Sequence, residues 1–92
     1  MAARLSREAV RAWNQAYAEQ TAAMFAASQL GPPDASALLR LARAYVEVSH
    51  AWRALSADFA APLWARHAAV VAAEEFIRRA HVERNRAERA HT

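Results

Sequence analysis

The sequence predicts an all-α fold, an antiparallel helical hairpin or a three-helix bundle. Three observations predict it. Ala accounts for 27 of the 92 residues, and Arg, Leu and Glu come next, all strong helix formers. Gly occurs once and Pro three times, too few turn residues for a β-sandwich, a Rossmann unit or a TIM barrel. Larger apolar residues recur at alternating steps of three and four, which is one face of a helix.

Helix one is expected at about 6–29. Its stripe is Val10, Trp13, Tyr17, Met24 and Ala27, interrupted by Gln20. Gly31-Pro32-Pro33-Asp34 then ends it: Gly suits the residue after a helix, Pro cannot continue one, and Asp34 or Ser36 can cap the next. Helix two is expected at about 35–58, with the row Leu38, Leu41, Tyr45, Val48, Trp52, Leu55 and Phe59. Arg40, Arg43, Glu47 and Arg53 lie on its other side. Pro62 interrupts, because an interior Pro costs about 3 kcal/mol and clashes with the preceding turn. Ser56 and Asp58 can cap a new start, so a break or sharp kink is expected, with helix three at about 60–88. Its stripe is Leu63, Val70, Ala73, Phe76 with Ile77, and Ala80. No repeat or linker divides the chain, which reads as a single helical domain over 1–92 with a basic end at 78–92.

Removing Ala from the 55% hydrophobic fraction leaves 24 larger apolar side chains. That is a thin core for three helices, so the stripes suit a second copy, a larger partner or an apolar surface, and self-association is expected. Trp13, Trp52 and Trp64 fit either a core or a wet boundary. The absence of Cys excludes disulfides and thiolate chemistry. No run approaches the roughly 18 apolar residues of a membrane span. The Arg-bearing start has some likeness to a transit peptide but reads better as the first turns of helix one. All 12 basic residues are Arg, a composition typical of GC-rich bacterial genomes, and the net charge of +3 is concentrated in the tail.

No catalytic constellation is visible, and no enzyme or cofactor is expected. Glu47 and His50 have the E-x-x-H spacing of carboxylate-bridged di-iron bundles, which require two such motifs and two further Glu. His67, Glu74, Glu75 and His81 could supplement them only in part, so no metal site is expected. Ser6 and Ser49 have no nucleophile elbow, and Gly31 before Pro-Pro is no phosphate loop. Arg78, Arg79, Arg84, Arg86 and Arg89 could contact an anion or nucleic acid. Glu83 and Glu88 interrupt them, and spacings such as Glu75 to Arg79 and Glu83 to Arg86 are ordinary helix-surface pairs.

Residues 35–59, ASALLRLARAYVEVSHAWRALSADF, resemble the long central helix of bacterial phasins, the coat proteins of polyhydroxyalkanoate granules. Residues 82–89, VERNRAER, are similar to the ending of some short phasin-like proteins. The Pro62 break and the three Trp have no counterpart in this resemblance. The resemblance implies a non-catalytic, cytoplasmic, granule-associated coat protein, with its apolar side on the polyester and its charged side toward water. The residues for that side are Trp13, Tyr17, Met24, Leu41, Tyr45, Val48, Trp52, Leu55 and Phe59. The alternatives are a helical accessory subunit docked on a larger complex, and a nucleic-acid-binding protein using the Arg-rich tail.

Overall fold

The computed structural model describes residues 5–29 and 31–91, with side chains up to Ala90. It is a three-helix bundle: α1 Arg7–Ala27, α2 Ala35–Ser56 and α3 Leu63–His91. Ser6 caps α1, its hydroxyl accepting from the Ala9 N–H at 3.3 Å. Asp34 caps α2, accepting from the Ala37 N–H at 2.8 Å while the Ser36 hydroxyl donates to it. Gly31 has φ of 89°, a left-handed conformation that residues with a Cβ rarely adopt. It lies beyond the cap of α1, where the Ser28 N–H reaches the carbonyls of Met24 and Phe25.

The break at Pro62 is real, and α3 starts at Leu63 rather than at 60. Pro62 sits just before the first turn, where its carbonyl accepts from Arg66 and its missing N–H is no loss. Ser56 and Asp58 do not cap α3. The Ser56 hydroxyl donates to the carbonyl of Arg53, and the Asp58 carboxylate accepts from the N–H groups of Ala60 and Ser6. The last contact ties the start of α1 to the α2–α3 connection.

α2 is the central helix, packed against α1 on one side and α3 on the other. Among the described residues the Cα traces of α1 and α3 stay more than 8 Å apart. The extents are 56 × 19 × 14 Å and the radius of gyration is 15.2 Å. A compact chain of this length would have about 12 Å, so the bundle is a rod.

Alanine dominates the interfaces. α3 buries Ala69, Ala73, Phe76, Ala80 and Ala87, and α1 buries Ala16, Gln20 and Ala23. Both sets step by three and four residues or multiples of them, so each is a narrow seam. Small side chains let helix axes approach closely, and the buried Ser49 hydroxyl reaches across from α2 to the Ala73 carbonyl at 2.8 Å. α2 buries Leu38, Leu41, Tyr45 and Val48 together with Ala42, Ala44, Ser49 and Ala51, two seams side by side. That double face makes it the middle helix. The expected stripes of α1 and α3 are corrected in part. Val10 and Met24 are exposed, and Leu63 is 75% exposed.

Candidate interaction surface

The wider gap between α1 and α3 is filled by aromatic rings. Trp13 packs on Tyr17 with centroids 4.4 Å apart and meets Trp52 edge-on at 5.5 Å. Tyr17 meets Phe76 of α3 edge-on at 5.7 Å, and Phe76 touches Tyr45 at 5.8 Å. The Trp52 indole N–H donates to the Tyr17 hydroxyl at 2.9 Å. The Trp13 indole N–H is buried without a hydrogen-bond partner among the described residues. Burial raises the Tyr45 hydroxyl above its ordinary pKa, so it stays neutral.

Most of the sequence-predicted apolar side is therefore interior. Leu41, Tyr45 and Val48 are buried, and Trp13, Tyr17 and Trp52 are half-buried against the same core. In this fold they join the helices rather than form an outer surface, because α2 faces a helix on each side. Leu55 is half-buried. Only Met24 and Phe59 of that set are exposed.

Among the described residues the three most exposed large apolar side chains lie elsewhere, with Phe25 of α1 next at 71% exposed. Phe59 is 84% exposed, and Leu63 and Trp64 are 75% exposed each, all within the α2–α3 connection and the first turn of α3. The Arg66 guanidinium stacks over the Phe59 ring at 4.5 Å and its Nε donates to the Ser56 carbonyl, so this connection is held in shape. Leu5 is 42% exposed at the same end, because Asp58 binds the Ser6 N–H. Periodicity placed Leu63 on the packed stripe of helix three and left Trp64 open between core and boundary, whereas both are exposed. A usable signal was their place directly after Pro62: first-turn residues at the end of a bundle have no helix above them to cover every direction.

The basic end of α3 is interleaved with acid. The Glu75 carboxylate accepts from both Arg78 and Arg79, which hold its pKa down to about 2. Arg86 pairs with Glu83 at 2.8 Å, and Arg79 also stacks on Phe76. Arg84 and Arg89 are exposed. Arg40 makes a two-pronged pair with Glu19, linking α2 to α1 and holding the Glu19 carboxyl below its ordinary pKa. Glu47 and His50 border a shallow groove between α1 and α2, floored by Ala12, Ala16, Ala51 and Ala54. His67, Glu74 and His81 are exposed on α3. Among the described residues no three His, Asp or Glu side chains come together as metal ligands, and no helix is long and apolar enough to cross a membrane.

No protein-family model matches the chain, and no curated protein or solved structure matches it significantly.

Proposed function

We propose that this protein is a non-catalytic, surface-adsorbing helical protein, a phasin-like coat of polyester storage granules. It adsorbs through the apolar end of the bundle. The observation that carries the reading is the grouping of Phe59, Leu63 and Trp64, three large side chains left in water by a protein with few of them. Water contact at such a cluster is unfavourable, and covering it is a standard use of exposed aromatic residues. The resemblance of residues 35–59 and 82–89 to phasins selects polyester as the surface. The buried stripe of α2 then provides rigidity, while Arg and Glu along the rod keep coated granules apart.

The nucleic-acid alternative is weakened by the pairing of Arg78, Arg79 and Arg86 with glutamates, which leaves no dense basic face. The test is co-sedimentation of the purified protein with polyhydroxybutyrate granules at low and high salt, with duplex DNA as control. The expected result is retention that survives high salt and is lost in a Phe59→Ser/Trp64→Ser variant that keeps its helical circular dichroism. Absence of retention by the unaltered protein overturns the reading. Salt-sensitive DNA binding in its place would favour the tail.

A further inference from the structure

We propose that the apolar end is also a charge-selective anchor, built for a surface of anionic lipid headgroups over acyl chains. The inference rests on the reading of this end as the adsorbing element and adds what it prefers. The start of α1, the end of α2 and the start of α3 meet there, joined by the Ser6 N–H to the Asp58 carboxylate at 3.1 Å and by Arg66 to the Ser56 carbonyl at 3.2 Å. Four exposed apolar side chains share this end: Leu5, Phe59, Leu63 and Trp64. Among the described residues four arginines belong to the same end. Arg7 and Arg11 lie in the first turns of α1, Arg53 in the last turn of α2, and Arg66 over the Phe59 ring.

The acids at this end are Glu8 and Asp58. Asp58 accepts two backbone N–H groups and is held ionised by them. The end therefore carries an excess of positive charge around an aromatic and aliphatic tip. A neutral surface such as polyester is covered by the tip alone, and the arginines add a preference for an anionic surface over it. A second copy docked tip to tip about a two-fold axis would set the four arginines against their own kind. An anionic bilayer satisfies both features, with Trp64 at the headgroup boundary, Phe59 and Leu63 below it, and the arginine stems extended toward phosphate.

The experiment is sedimentation of the full chain with vesicles of phosphatidylcholine alone and of an equal mixture with phosphatidylglycerol, beside polyhydroxybutyrate particles. The proposal expects binding to the anionic vesicles stronger by roughly tenfold or more, falling with added salt. Phe59→Ser/Trp64→Ser abolishes vesicle binding. Arg7→Gln/Arg53→Gln removes the preference for the anionic vesicles and leaves helical circular dichroism unchanged. Equal binding to both vesicle types overturns the proposal, as does a preference that survives the arginine changes. Retention on polyester without vesicle binding overturns it and leaves the granule-coat reading standing, whereas no retention on either surface overturns both. A dimer in light scattering that Phe59→Ser/Trp64→Ser dissociates would assign the tip to a second copy and overturn it too.

Discussion

Ser49, midway along α2, donates its hydroxyl proton to the main-chain carbonyl of Ala73 on α3 across 2.8 Å, and both residues are fully buried. A side chain this short can reach a neighbouring helix's backbone only where the two helices are in close contact. The pair marks a point of close approach between α2 and α3.

Ser49→Ala is expected to cost little, about 1 kcal/mol, since the Ala73 carbonyl keeps its bond within the α3 helix. Ser49→Leu is expected to cost about 1–3 kcal/mol or more by overpacking. Urea unfolding followed by circular dichroism separates the two. Equal costs would show that the hydroxyl, not the separation, is what matters.

The alanine seams predict a steric asymmetry. Ala23 on α1 and Ala73 on α3 have no exposed surface. Leu at either site forces the helices apart and should lower stability by about 1–3 kcal/mol. Ala68→Leu, at an exposed position of α3, should fall within about 0.5 kcal/mol of the parent. Comparable loss at all three sites would count against close packing as the cause.

The two interior tryptophans should respond differently to removal of their N–H. Trp52→Phe breaks the bond to the Tyr17 hydroxyl, whereas Trp13→Phe removes a buried donor that has no partner. Both lose ring area, so the difference isolates the hydrogen bond, and Trp52→Phe should be the more damaging by about 1 kcal/mol or more. Thermal unfolding of the two variants checks the order.

Acid should weaken the bundle in a defined window. The Glu75 carboxyl is lowered from an ordinary 4.5 to about 2, chiefly by hydrogen bonds from Arg78 and then Arg79. Its folded pKa is depressed, so its contribution is fully present above pH 4.5 and is lost as pH falls toward 2. Glu19, Asp34 and Asp58 are lowered as well and act with the same sign. The urea midpoint should decline through this range. Glu75→Gln should make the decline shallower, and salt should do the same because the ion pair lies at the surface. An unchanged slope in the variant would count against the ion pairs.

Helix formation was legible because composition and punctuation act locally. The expected spans 6–29, 35–58 and 60–88 stand beside Arg7–Ala27, Ala35–Ser56 and Leu63–His91. Asp34 caps where its position after Pro-Pro suggested, and Pro62 lies in the break directly before α3. The seams were less legible. A periodicity built on large side chains follows Trp13, Tyr17 and Met24, but α1 closes on Ala16 and Ala23, one step around the helix.

What the sequence by itself determined is therefore the helical state and the breaks, whereas the place of α2 between α1 and α3 came only with the tertiary structure. What only the tertiary structure decided is which apolar residues face water. Trp52 and Trp64 are the same residue type on neighbouring helices, yet one is held under Tyr17 and the other projects from the bundle's end. The hydrophobic effect rewards burial without specifying a place, so exposure depends on which neighbouring helix covers each direction. At Phe59, Leu63 and Trp64 the chain turns from α2 into α3, and among the described residues no helix covers them.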